Sequence, residues 1–292
     1  MKKHRLIKTF IVLLILVALV SPFEKFFPLK TPQVSYAKSL GGITIPWENT
    51  PEFQQAISDA NTPIRMAVLS ATLKDPLPGE WFNVSHAAGM LSGTVVKQGE
   101  VFSQNQTLGP YSTAKGYQKG PTYSGGRVIT TVGGGVCKIA SLLYNVVRLS
   151  NLQVIERHNH SLTVPYVPPG QDATVYYGSR DFKFRNNSKG PVLIWAKTYD
   201  NTLYMALYGQ QVPPRVTWQH ETLKNLKTST IHSFNPNLPP GTERVIAPGQ
   251  DGIVVRSWLT IKYPNGKEET KMLGKDYYSP SPRIIEKGPR KK

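Results

Sequence analysis

The 292-residue chain contains one cysteine, Cys137, in surroundings suited to thiol chemistry. Gly133-Gly134-Gly135-Val136 lead into it, and it opens a stretch to Ser150 in which Ile139, Leu142, Leu143, Val146 and Val147 fall at i, i+3, i+4, i+7 and i+8. That spacing predicts an amphipathic helix with the thiol in its first turn. Unpaired N–H groups and the helix dipole favour a thiolate there. Lys138 adds positive charge, and the N–H groups of the three glycines could line an oxyanion site for acyl transfer. A thiol nucleophile needs a base, and His158 and His160 follow Cys137 by 21 and 23 residues. In an extended segment the two rings project from one face together with Glu156. His160 enters the apolar run Leu162–Val164 and is favoured as the base. His158, behind Glu156-Arg157, is expected to orient it or to contact a substrate carboxylate.

Three rival readings compete with this one. A lone cysteine in an exported chain can be a buried core thiol, with the histidines on a polar surface strand. A metal held by Cys137, His158 and His160 lacks a fourth protein ligand of obvious spacing, so neither metal nor cofactor is expected. A phosphate-binding loop requires Gly-Lys-Ser/Thr, whereas Lys138 here follows Cys137.

The elements that must position these residues are short. Arg127–Val132 is a β-branched run, hence a strand entering the glycines. Upstream, a helix is expected at Pro51–Ala60 and another at Val84–Leu91 capped by Asn83, with two short strands between Val95 and Phe102. Asn105–Gly126, with Gly109-Pro110 and Gly120-Pro121, reads as loop. Downstream, Gln153–Val167 looks extended. Asp172–Tyr177 with Asp181–Arg185, and Pro191–Lys197 with Thr202–Tyr208, read as two hairpins. Gln210–Pro214 is a linker, and β-type runs separated by glycines occupy Arg215–Pro289. The fold class is α+β: a β-rich domain with one central helix, then a small all-β domain.

Charge and the N-terminus limit the partners. The chain carries 35 Lys+Arg against 18 Asp+Glu, a net charge of +17, and such a field attracts polyanions. Lys2, Lys3, Arg5 and Lys8 precede an unbroken apolar run, Phe10–Val20, of signal-peptide length. Ala37 offers a cleavage point after Val34-Ser35-Tyr36, and the alternative is an uncleaved anchor. Either way the remainder is exported. Nucleic acid is then not an expected partner, and no zinc-finger, RNA-binding or helix-turn-helix signature is present. Anionic wall polymers or a membrane surface are. The sequence sets no oligomeric state.

Several of these segments, in this order, resemble the VanW family. They are Gly99–Asn105 (GEVFSQN), Gly109-Pro110, Gly133–Asn145 (GGGVCKIASLLYN), Glu156–Ser161 (ERHNHS), Tyr166–Val175 (YVPPGQDATV) and Asp181–Asn187 (DFKFRNN). Some members of that family have been assigned L,D-transpeptidase activity on peptidoglycan, with the cysteine as nucleophile. The resemblance maps that role onto Cys137, with His158 or His160 as base. Lys138 stands where the family commonly has Gln. Leu238–Gly249 (LPPGTERVIAPG), Asp251-Gly252, Tyr263–Gly266 and Gly288 resemble a G5 domain, a module that accompanies cell-wall enzymes and adhesins. The expected organisation is therefore a signal peptide or anchor at 1–37, an extension at 38–65, a VanW-like domain at 66–209 and a G5-like domain at 215–289. Peptidoglycan is the expected substrate. A cysteine peptidase or amidase, and a non-catalytic wall-binding or accessory protein, are the alternatives.

Overall fold

A computed structural model describes residues 45–73, 76–124 and 127–291. The expected signal or anchor segment, 1–37, lies outside them. The order of elements is α1 (Pro51–Ala60), β1 (Ile64–Thr72), α2 (Glu80–Leu91), β2 (Thr94–Val96), β3 (Val101–Ser103), α3 (Gln104–Leu108), β4 (Lys119–Ser124), β5 (Arg127–Val132), α4 (Cys137–Leu149), β6 (Gln153–Glu156), β7 (Lys183–Arg185), β8 (Val192–Tyr199) and β9 (Thr202–Gly209). The second part adds β10 (Arg215–Leu226), β11 (Thr230–Phe234), β12 (Glu243–Gln250), β13 (Gly252–Lys262), β14 (Glu268–Tyr278) and β15 (Ser281–Lys287).

The first part is organised on an antiparallel sheet of order β1-β9-β8-β2. Strand side chains alternate between faces, and β8 shows the consequence. Val192, Ile194 and Ala196 face a core shared with Val84, Ala87 and Leu91 of α2 and with Ile139, Leu143 and Val146 of α4. Leu193 and Trp195 face the other way, onto Trp47 and Phe53. Phe53, on α1, meets Trp195 edge-on at 5.1 Å between centroids. Residues 45–60 of the stretch read as an extension therefore cover the outer face of the sheet, while its last two residues, Ile64 and Arg65, already belong to β1. The helix expected at Cys137–Ser150 is α4, and its apolar stripe is buried as the periodicity requires.

The β8–β9 hairpin forms as expected, turning at Asp200 in the left-handed region, φ +46°. Three local expectations change. Gly120-Pro121 lies inside β4, which pairs with β5; the proline sits in a two-stranded ribbon, where a missing N–H is tolerated. Asp172–Tyr177 makes only the isolated bridge Tyr176↔Arg180, and β7 pairs instead with β3 and β6. Beyond Glu156 the expected extended segment is irregular, because its polar groups bond to side chains and to the second domain and not to a neighbouring strand.

The second part is all β, in two three-stranded sheets of order β10-β13-β14 and β11-β15-β12. Its interior is thin, built on Val255, Leu259, Ile261, Tyr278 and Ile285. Trp218 on β10 packs edge-on to Tyr144 of α4 at 5.2 Å, which joins the two parts at the helix that carries the thiol.

Candidate active site

Cys137 is the first residue of α4, and the turn before it is set by close backbone approach. A Cβ on Gly134 would stand 2.2 Å from the Gly120 carbonyl oxygen, so only glycine lets this turn lie on β4. Asn83 holds the two together. Its Nδ2 donates to Gln118 O and Gly134 O at 2.9 Å each, and its Oδ1 accepts from Gln118 N at 2.8 Å. Asn83 is thus no N-cap. It lies inside α2, whose first turn begins three residues earlier, after Gly79 at φ +77°.

Three polar residues of α4 fall at i, i+4 and i+8, on one line down the helix: Cys137, Ser141 and Asn145. That line receives the segment 171–175. Asn145 Nδ2 donates to Gln171 O at 2.7 Å, and Ser141 Oγ donates to Ala173 O at 3.1 Å while accepting from Ala173 N at 2.9 Å. At the top, Cys137 Sγ lies 3.5 Å from Thr174 Oγ1 and 3.7 Å from Val175 O. Two buried polar side chains of this helix therefore place Thr174 beside the thiol and Asp172 beside His160.

Asp172 is paired with His160. Its Oδ2 accepts from His160 Nδ1 at 2.6 Å, and the buried imidazole stands beside the Cys137 thiol and interacts with it. With Nδ1 engaged by the carboxylate, the ring's Nε2 lies 3.3 Å from Tyr166 Oη. Behind the carboxylate, Arg157 Nη2 lies 3.1 Å from Asp172 Oδ1, which also accepts from the Tyr278 hydroxyl.

The charges follow from these contacts. Burial pushes the Cys137 thiol up, but the bond to His160, the imidazolium charge and Thr174 outweigh it and bring the thiol down to about 7. Burial also lowers His160, yet Asp172 and the thiolate outweigh that and raise it to about 9. Burial raises Asp172 as well, and His160 and Arg157 overcome it, holding the carboxyl below its ordinary range. The cysteine and histidine titrate as a pair, and with the thiol below the imidazolium the favoured state near neutrality is thiolate–imidazolium.

Other expected members of the site stand elsewhere. His158 Nε2 lies 3.1 Å from Glu156 Oε1 with its side chain 42% exposed, so it does not orient His160; Asp172 does. A metal shared by Cys137 and both histidines would need both rings at the sulfur, and His158 is turned to Glu156. Lys138 is turned away from the thiol. Its ammonium is buried in an ion pair with Glu80 and lies 4.7 Å over the Tyr166 ring, so its charge is already matched. Of the glycines, Gly133 N–H donates to Gln118 O at 2.9 Å and Gly134 N–H to Thr131 O at 3.2 Å, which removes both as oxyanion donors. Gly135, at φ +105°, turns the chain into the helix.

Asp172, Thr174, Arg157 and Tyr278 were not singled out from the sequence. The signal for the first two was Ser141 and Asn145 in the helical stripe, which call for a polar segment opposite. Nothing local pointed to Tyr278.

A helix-borne thiol, a buried imidazole and a buried carboxylate in an α+β domain joined to an all-β module define the class of a cysteine–histidine–aspartate site on a two-domain scaffold. Residues 79–208 match the family described as VanW like protein, and residues 219–290 match the G5 domain. The chain thus carries a VanW-like domain followed by a C-terminal G5 domain. Over 130 residues it is 42% identical to the uncharacterized protein YoaR of Bacillus subtilis, covering 44% of this chain and 43% of that one. Over 183 residues it is 28% identical to the vancomycin B-type resistance protein VanW of Enterococcus faecalis, covering 61% of this chain and 63% of that one. The chain thus spans less than two thirds of either relative's length. An IgA1 protease G5 domain structure is matched over its whole length and 28% of this chain, at 29% identity and a TM-score of 0.19.

Proposed function

We propose that this protein is an extracytoplasmic cysteine acyltransferase of the L,D-transpeptidase type acting on peptidoglycan stem peptides. The pairing of a VanW-like with a G5 domain is that of a cell-wall-associated protein, and the matched relatives come from two Gram-positive bacteria. The observation that carries the catalytic reading is the position of His160, between the Cys137 thiol and the Asp172 carboxylate. The Cys137 thiolate attacks the carbonyl at an L,D-bond, forming a C–S bond and a tetrahedral oxyanion. Collapse breaks the C–N bond, and the His160 imidazolium gives its proton to the departing amine of the D-residue. The thioester is then attacked by an amine of a neighbouring stem. His160 takes the amine proton, and Cys137 leaves as thiolate. Gly135 N–H and the N–H of Cys137 itself are the remaining backbone donors at the turn for the oxyanion.

Purified protein incubated with muropeptides and followed by mass spectrometry tests this, with Cys137→Ala alongside. Cross-linked dimers that require Cys137 are expected. Trimmed monomers alone would make water the acceptor and the protein a cysteine peptidase. Identical products from both samples would leave a non-catalytic wall protein.

A further inference from the structure

His160 and Asp172 sit at two ends of an irregular segment, 157–172, that has no strand ladder of its own to hold it. Each ordered backbone residue costs on the order of 1–2 kcal/mol, so bonds from outside must fix this segment. Many of them come from the G5 domain. The Tyr278 hydroxyl, at the end of β14, donates to Asp172 Oδ1 and accepts from Gly170 N–H at 2.7 Å. Arg157, whose Nε and Nη2 bond Asp172, places Nη1 2.5 Å from Asp276 Oδ1. On the other side of His160, Ser279 N–H donates to Ser161 O at 2.7 Å and Asn159 Nδ2 to Tyr277 O at 3.0 Å. Residues 276–279 therefore grip the segment on both sides of the imidazole.

From this geometry we propose that the G5 domain is a positioning part of the thiol site, acting through Tyr278, which holds Asp172 so that its second oxygen meets His160. Tyr278 touches no reacting atom and is a positioning residue. Asp172 has two oxygens: Oδ1 is held by Tyr278 and Arg157, and Oδ2 receives both the ring and the backbone N–H of His160. Without the Tyr278 hydroxyl the carboxylate is free to rotate and the Gly170 N–H is left unpaired, so the imidazole loses the contact that keeps it against the sulfur. The charged and titratable groups around this pair are Cys137 on α4, Tyr166 beside the ring, and Arg157, Asp276 and Tyr278 behind the carboxylate. The inference deepens the proposed cysteine–histidine site and rests on that pair, but not on the acyl acceptor or the peptide.

The test is the rate of alkylation of Cys137 by iodoacetamide against pH, in the full chain, with the melting temperature recorded separately. Tyr278→Phe keeps the ring and removes only the hydroxyl. Its inflection is expected to rise by about one pH unit, making alkylation several-fold slower near neutrality. Tyr277→Phe, whose hydroxyl belongs to an exposed side chain and whose contact is a backbone carbonyl, should keep the native inflection. A folded Tyr278→Phe with the native inflection overturns the proposal, and so does an equal shift in Tyr277→Phe. If Tyr278→Phe does not fold, Asp276→Asn decides. Freed from Asp276, Arg157 leans on Asp172, weakens its hold on the imidazolium and raises the thiol inflection; no shift overturns the proposal. Alkylation needs no peptide, so this result stands apart from any outcome with muropeptides.

Discussion

A single oxygen of Asp172, Oδ2, accepts from both the backbone N–H of His160, at 2.7 Å, and its ring Nδ1, at 2.6 Å. The two bonds hold backbone and ring of one residue against one acceptor, which fixes the ring's direction beside the thiol. The ionisation of the thiol follows from this contact, and several measurable consequences follow from that ionisation.

The Cys137 alkylation rate should rise through an inflection near pH 7. The thiol is depressed, so the thiolate is present above that pH and lost as pH falls through it. In His160→Ala, burial is opposed only by the contacts to Thr174 and Val175, and the inflection should move up toward about 8.5, the ordinary thiol value, or beyond it. A thiol that reacts only after denaturation would mark Cys137 as a core residue. Peptide turnover should fall again as pH rises through about 9, where the imidazolium proton is lost.

His160→Ala should lower acylation by a factor on the order of 10²–10⁴, the usual contribution of a general acid–base. His158→Ala should change it little, because His158 contacts Glu156 and is partly exposed. Single-turnover thioester formation measures both. Full activity in His160→Ala would remove the cysteine–histidine mechanism.

Asp172→Asn should cost activity to a similar degree by disturbing the imidazole tautomer and placement. It should also change the pH dependence of stability. The folded carboxyl lies below its unfolded value, so its stabilisation is complete above the ordinary carboxylate range and is lost as pH falls through the lower, folded value. The melting-temperature gap between native protein and variant should therefore be widest near neutrality and close in acid. His160 has the opposite sign: raised to about 9, it stabilises below about 6.5 and stops doing so as pH rises through about 9.

Lys138→Met should separate stability from chemistry. It leaves Glu80 buried without its cation, at a cost of roughly 3–5 kcal/mol. The thiol inflection should stay where it is, because the ammonium is matched by Glu80 and directed away from the sulfur. A large upward move of the inflection would return Lys138 to the site.

With a net charge of +17, the full chain should sediment with purified cell walls, and this should weaken as salt shortens the reach of charge, about 8 Å at physiological ionic strength. Walls stripped of teichoic acids should lose the salt-sensitive part of the binding. Equal retention by stripped and intact walls would assign the interaction to neutral contacts.

What the sequence determined by itself is what short-range rules control. The 3.6-residue stripe from Ile139 to Val147 set α4 and put Cys137 at its start, because burial of one helix face requires that period. Proline at the first position marked α1, and two largely apolar runs on either side of Tyr199-Asp200-Asn201 marked β8 and β9, since both depend on local signals. Only the tertiary structure decided which partners the thiol meets. Lys138 adjoins Cys137 in the chain yet points to Glu80, because consecutive helical side chains diverge by about 100° around the axis. His158 and His160, expected on one face of a strand, separate because their segment is irregular and takes its shape from contacts outside itself. Asp172 comes to His160 because Ser141 and Asn145 dock its segment on α4, and Tyr278 comes from more than a hundred residues away in a second domain. Such contacts depend on how the two domains pack, and no periodicity along the chain encodes that distance.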